Sequence, residues 1–219
     1  MRYARLIRGV SLVCAAAVMA VGCRSSASPE EITVRRINVV DETGEIRFVI
    51  AGELPDPMVR GERIERAIVP AGIIWHDQDG NESGGLAVAP VSSWKGASKG
   101  KVRMLTFDFT HQITDAVRLD TFESDDGEAW SGGLTVYDRR PYVAGPVASS
   151  QGKQRIYLGT QNGDAGLVVL DSEERERIRI GVGQDGVAVI EILAEDGEVI
   201  YRVPDQRYGL RQEAAAPRP

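Results

Sequence analysis

The sequence has two cysteines in 219 residues, Cys14 and Cys23, both near its N-terminus. Everything after Cys23 lacks a thiol, so neither a disulfide nor a thiolate metal site can brace that part of the chain. It must hold together by packing and hydrogen bonding. Histidine is as scarce, with only His76 and His111. No apolar run reaches the ~20 residues of a membrane-spanning helix. No long segment carries helical periodicity, and no phosphate-binding loop or zinc-ligand spacing is present. Nucleotide-dependent chemistry and thiol chemistry thus lose their usual sequence marks.

What the N-terminus does have is a pattern. Arg2, Arg5 and Arg8 precede an apolar stretch from Gly9 to Gly22 that contains no acid. Ala20-Val21-Gly22 then leads into Cys23, and Arg24 follows directly. A basic start, a short apolar middle and small residues at the end make a secretory signal, which is removed and takes no part in the fold. The segment resembles a bacterial lipoprotein signal. The resemblance implies that residues 1–22 are removed and that Cys23 becomes the lipidated first residue, with the membrane as partner through that anchor. Ala20 stands where such signals usually have Leu, and Val18-Met19-Ala20 offers small residues to a non-lipid peptidase instead. Arg24, where Asp would retain the protein at the inner membrane, directs it by the same resemblance to the outer membrane of a bacterial cell envelope.

The chain carries 26 basic and 32 acidic residues. Three arginines leave with residues 1–22, so the remainder has 23 basic against 32 acidic, a net charge of −9. Such a surface suits neither nucleic acid, whose binding needs cations against phosphates, nor anionic lipid. The lipid would tether the protein while the domain stands in water.

From Ile32 onward the pattern is strand, turn, strand. Asp41-Glu42-Thr43-Gly44 and Asp77-Gln78-Asp79-Gly80 each separate apolar runs, and Asp126-Gly127, Asn162-Gly163, Asp185-Gly186 and Asp196-Gly197 repeat the theme. Asp-Gly and Asn-Gly suit two-residue hairpin turns, whose central residues both need positive φ. Arg177-Ile178-Arg179-Ile180 alternates strictly, the period of a strand with one wet face. Glu62 to Ile68 and Ser172 to Arg177 allow at most a short helix. Asp79–Val88 and Asp126–Val136 form an internal repeat, each with Gly-Gly-Leu after a turn, and Asn162–Val169 is a worn third copy. Hairpins with one apolar face must stack or curl to bury it. The expected fold is therefore all-β: repeated antiparallel hairpins forming a barrel, a sandwich or a small propeller-like domain. Residues 23–31 read as a linker, 32–138 as the hairpin repeat region, 139–154 as a loop or linker, 155–205 as a β-meander of the same domain and 206–219 as a disordered tail.

Arg36-Ile37-Asn38-Val39-Val40-Asp41 with Gly44-Glu45-Ile46-Arg47-Phe48 resembles the opening of a group of uncharacterised bacterial β-rich proteins. Ala71-Gly72-Ile73-Ile74-Trp75, joined to Asp79-Gly80-Asn81-Glu82-Ser83-Gly84-Gly85-Leu86, fits the same plan, as does Gly133-Leu134-Thr135-Val136-Tyr137-Asp138-Arg139. The resemblance covers about residues 33–203. It rests on turn and strand residues and implies no catalytic residue.

Candidate chemistry is thin. Asp77 to Glu82 sets carboxylates around a glycine as a calcium loop does, without the Gly and Glu spacing of an EF-hand. His76 and His111, with Asp108 or Asp115, could make a zinc site only if the fold gathers them. Ser83 and Ser131 precede Gly-Gly but lack the G-x-S-x-G elbow of a serine hydrolase. Glu82 and Glu128 would serve as a glycosidase pair only across a cleft. Trp75, in an apolar run, reads as core. Trp130, Tyr137 and Tyr142 could join it in a sugar platform, and Trp94, in a Gly/Ser/Lys loop, is the aromatic placed to touch a partner. The resulting expectation is a non-enzymatic envelope lipoprotein, a binding or structural module for a protein or glycan, with no catalytic residue, no metal and no cofactor. The alternative is an envelope enzyme that acts on glycan or peptide with turn carboxylates.

Overall fold

A computed structural model describes residues 30–66, 68–92, 99–109, 114–139 and 152–204. All of its strands lie in the unit Arg35–Pro219. Among the described residues there are fourteen strands and no helix. Twelve form one antiparallel sheet: β1 (Arg36–Val40), β2 (Ile46–Ala51), β5 (Ala71–His76), β6 (Glu82–Val91), β7 (Gly100–Asp108), β8 (Asp115–Ser124), β9 (Trp130–Tyr137), β10 (Gln154–Gln161), β11 (Asp164–Leu170), β12 (Glu176–Val182), β13 (Ala188–Leu193) and β14 (Val199–Val203). The strands follow one another in chain order, interrupted only by the small hairpin β3 (Met58–Val59) and β4 (Glu62–Arg63).

The all-β expectation of repeated antiparallel hairpins holds. The barrel does not: the sheet is open, with β1 and β14 at its edges. The short helix is also absent, because Glu62–Arg63 is a strand and Ser172 to Glu174 lie in a turn. Arg60 and Gly61, both with positive φ, turn the chain ahead of β4. The sheet continues from β9 into β10 through the register of Leu134 with Leu158, so the segments on either side of 139–154 belong to one sheet.

The turns differ from the expected two-residue type. Among the described residues only Asn162-Gly163 and Arg60-Gly61 have positive φ at both central residues. Elsewhere the glycine takes the fourth position; the loop has three residues at Gly44, Gly80, Gly186 and Gly197, as in a type I turn closed by a bulge, and four at Gly127. Gly44 N donates to Asp41 O, Gly80 N to Asp77 O and Gly197 N to Ala194 O, while Glu174 N, at φ 63°, donates to Asp171 O. Aspartate opens three of these turns and locks them. Asp41 Oδ1 accepts the amides of Thr43 and Glu45, Asp77 Oδ1 those of Asp79 and Asn81, and Asp171 Oδ1 those of Glu173 and Arg175, all at 2.9–3.1 Å. The Thr43 hydroxyl and the Arg47 guanidinium hold the Asp41 carboxyl well below the carboxylate range, against some desolvation. Desolvation raises Asp171, but the amides and the side chain of Arg175 bring it down to about 2.

These turns cap four hairpins of one design. Residues 37 and 50, 73 and 86, 167 and 180, and 190 and 203 face each other, each pair thirteen positions apart. Each hairpin also shifts register once, next to its turn. The Gly-Gly-Leu repeat is a different, smaller likeness. Gly80 and Gly127 both have positive φ, but their turns lie at opposite ends of the strands.

One face of the sheet carries small and polar residues. Val49, Ala51 and Ile74 form a core there with Leu54 from the insertion, whose amide donates to Pro70 O. Ala89, Val91, Val102 and Phe122 form a second core. Between these cores and β13, Gly133, Gly159, Gly166 and Gly181 face one another across four neighbouring strands. A β-carbon would meet a backbone oxygen at 2.4 Å on Gly159, 2.7 Å on Gly166 and 2.8 Å on Gly133. The Tyr157 ring lies over Gly133, filling the space a side chain would take. The sheet bends where only glycine lets it.

Two glycines separate these constraints. At Gly80 only φ, +79°, opposes a side chain, since nothing lies within 4 Å. Gly80→Ala is expected to cost about 1 kcal/mol. Gly159→Ala forces the backbones apart and is expected to cost about 2–3 kcal/mol. Urea unfolding of the two variants measures the difference, and equal costs would show that crowding does not fix Gly159.

Candidate functional site

The residues singled out from sequence scatter over the sheet. Cys23, Trp94, His111 and Tyr142 lie outside the described residues. Glu82 begins β6, whereas Glu128 lies in the β8–β9 turn at the opposite end of the strands, so they do not face each other across a cleft. His76 sits opposite Glu82 in register, yet the Glu82 carboxylate pairs with Arg66. Burial lowers the His76 pKa, and its Nδ1 is buried without a partner. Ser131 is buried in β9 between Phe122 and Gln161, and Ser83 faces the Trp75 carbonyl at 3.5 Å. The Asp77 carboxylate is occupied by its turn: Oδ1 and Oδ2 accept from the Asn81 side-chain amide at 3.2 and 2.9 Å, besides the two backbone amides. Asn81 Oδ1 in turn accepts the Arg60 amide at 2.6 Å, tying the small hairpin to the sheet. Among the described residues no three His, Cys, Asp or Glu side chains gather as a metal site.

The larger surprise is the other face. Ile37, Ile50, Ile73, Leu86, Leu105, Leu119, Leu134, Leu158, Leu167, Ile180, Ile190 and Val203 face one another in unbroken register across all twelve strands. Two residues along, a second row runs beside it: Val39, Phe48, Trp75, Gly84, Phe107, Val117, Val136, Ile156, Val169, Ile178, Ile192 and Tyr201. Its one gap, Gly84, is covered by the Trp75 ring, whose Cζ2 stands 2.7 Å from where a β-carbon would be. Trp75 also meets Phe107 with ring centroids 5.7 Å apart. None of the 23 large side chains in these rows is buried. Trp75, expected in the core, is on this open face.

The alternation read from sequence is present, with the apolar residues on the wet face. In Arg177-Ile178-Arg179-Ile180, Ile178 and Ile180 are exposed, and Arg179 lies on the opposite face, bonded to the buried Glu191 at 2.8 Å. Arg202 reaches the same carboxylate at 3.4 Å. Arg118 likewise bonds Asp120, whose side chain is fully buried, at 3.0 Å, and Asp115 at 3.2 Å. Its guanidinium lies 5.2 Å from the centre of the buried Tyr137 ring. Asp120 and Glu191, buried on the packed face, are therefore paired, as their desolvation requires.

At one end of that face stands an acidic group which sequence reasoning considered only as a neighbour of His111. Burial pushes the Asp108 carboxyl up to about 8, and Asp115 and Glu82 add to it by repulsion, against Thr106 and Arg66. Asp108 Oδ1 has no hydrogen-bond partner. Burial also raises Glu82, against its pairing with Arg66. Asp115 lies seven residues from Asp108 and faces it in register, whereas Glu82 is distant in sequence and comes near through the pairing of β6 with β7.

No protein-family model, curated protein or solved structure matches the chain.

Asp108 gives the folding equilibrium a pH slope. Below about pH 4 the carboxyl is protonated in both states and costs nothing. Between its ordinary value of 3.8 and about 8 the folded state keeps a proton that the unfolded state releases, so stability falls as pH rises. Asp108→Asn is expected to flatten that slope and to be more stable than the parent at pH 8, by on the order of several kcal/mol. Denaturant titrations at pH 5 and pH 8 check this; an unchanged slope would remove Asp108 as its source.

Proposed function

We propose that the protein is a non-enzymatic module of the bacterial cell envelope, tethered through a lipid on Cys23, that works by contact through the apolar face of its sheet. The observation that carries this is the double row. Twelve strands at ~4.8 Å spacing make a belt about 55 Å long. Two same-face residues per strand, ~7 Å apart along it, make the belt about 12 Å wide. Its area of roughly 700 Å² exceeds the largest patch on a typical monomer, about 300–600 Å². A surface of this size without a charged side chain gains free energy only when something covers it.

The width opposes a spanning role. An outer-membrane barrel presents an apolar band about 25 Å tall, twice that of this belt. Beyond the belt, Arg103 and Thr121 take the next positions on β7 and β8, then Lys101 and Glu123. On these two central strands the polar flank suits a contact bordered by water. The sandwich anticipated from sequence fits this reading if the covering layer comes from another molecule.

A second reading rests on Asp108. A carboxyl protonated near neutral pH beside other acids is a general acid in waiting, as an envelope enzyme acting on glycan would need. Glu82 is tied to Arg66, however, and pairs with no second free carboxylate of the sort a glycosidase uses. Contact is therefore the better account.

Two measurements test it. Mass spectrometry of the mature protein is expected to find a diacylglyceryl adduct on Cys23 that disappears in Cys23→Ser; an unmodified N-terminus at Val21 would refute the tether. A benzophenone side chain at position 119 or 158, in the full-length protein within its own envelope, is expected to cross-link far more than one at Glu123 on the polar flank. Equal yields at the three positions would refute the apolar face as the contact surface.

A further inference from the structure

We infer that the occupant of the apolar face is a second copy of this chain, the two sheets stacking face to face about a two-fold axis. This rests on the reading of that face as the contact surface and names its partner.

Area is the first support. A stable interface buries about 800 Å² on each partner, and the belt offers roughly 700 Å² of uninterrupted aliphatic and aromatic surface. Chemistry is the second. The belt displays isoleucine, leucine and valine in long repetition, the residues with which facing sheets interdigitate ~10 Å apart. An isologous contact needs one patch to complement itself, and an uncharged belt of uniform side chains does so without setting any charge against its like. No acid stands in the belt: Asp41, Asp171, Asp120 and Glu191 lie in turns or on the packed face, and Glu123 stands on the flank, opposite Lys101. The belt is thus the surface on which two such chains repel least.

Geometry places the axis. A pair that overlaps along the whole belt has its two-fold at the middle of the strand order. The sixth and seventh of the twelve strands are β8 and β9. Leu119 and Leu134 face each other there, so each copy should present these two to the other. A hydrocarbon ligand is the rival occupant. A hollow of about 500 Å³ on this face lies off-centre among Leu158, Ala165, Leu167, Ile180, Ile190 and Val203. A ligand there would leave most of the belt uncovered.

The test uses the mature chain with Cys23→Ser, which needs no detergent. Sedimentation is expected to give a dimer. Leu119→Glu with Leu158→Glu is expected to shift it to monomer by at least a hundredfold weaker association, while Thr121→Glu, on the polar flank, leaves the dimer intact. Both leucines are half-exposed, at 50% and 51%, so the β-sheet circular dichroism should survive. Should the double variant fail to fold, benzophenone at position 119 decides without a charge: a product of twice the chain mass supports the pair. A monomeric parent overturns it, as does a dimer that survives the double substitution. A monomer that floats with phosphatidylcholine vesicles assigns the face to hydrocarbon. In that last case, or if benzophenone labels another molecule, the contact reading stands while the partner named here falls. No cross-link above the Glu123 control would remove both.

Discussion

Register is the constraint on which the sheet depends. Each strand has one set of side chains fit for water's edge and one fit for a crowded, partly charged interior, and they alternate residue by residue. A slip of one residue in any hairpin would set Arg118, Arg179 or Glu191 among the isoleucines and drive an isoleucine against the glycine row. The turns prevent this. By accepting two amides, the aspartates at 41, 77 and 171 fix where each hairpin reverses. The bulge beside each turn is part of the same setting, since it restores the facing of residues thirteen apart.

The packed face shows what that setting protects. It is held less by a broad hydrophobic core than by two small clusters and a set of satisfied charges. Asp120 is out of water entirely and depends on Arg118, which also engages Asp115 and the face of Tyr137. Removing one partner of such a group strands a buried charge, which costs more than the pair itself contributes. Glu191 is served by both Arg179 and Arg202, from the strands on either side. Cross-strand ion pairs thus do here what interdigitating side chains do in an ordinary sandwich, and they leave the large apolar residues free to face outward.

Much of this was legible in the sequence. Asp-Gly and Asn-Gly placed the turns, alternation marked strands such as Arg177–Ile180, and the lack of helical periodicity gave the class. Turn type was not legible, because Asp-Gly serves both a two-residue loop and the closing half of a bulged turn; an aspartate three residues before the glycine, as at Asp41 and Asp77, was the available signal. Sidedness was not legible either. Periodicity says that Ile178 and Arg179 part company but not which one meets solvent. The glycines were the missed clue, since Gly85, Gly133 and Gly166, each just before a belt leucine, mark the face where backbones crowd. The approach of Glu82 to Asp108 is a product of strand pairing that no local pattern carries.

The order of the strands has a mechanical consequence. In the twelve-stranded sheet each strand touches the ones beside it in the chain, so contacts are close in sequence and the fold behaves as a line rather than a ball. Such a line can zip from any hairpin and lose its outer members first. β1 and β14, bonded on one side only, are where hydrogen exchange and proteolysis are expected to begin. It can also be cut to length. A hairpin of the thirteen-residue design could be added or deleted with little effect beyond its immediate neighbours, and the belt would grow or shrink by two strands, about 10 Å, each time.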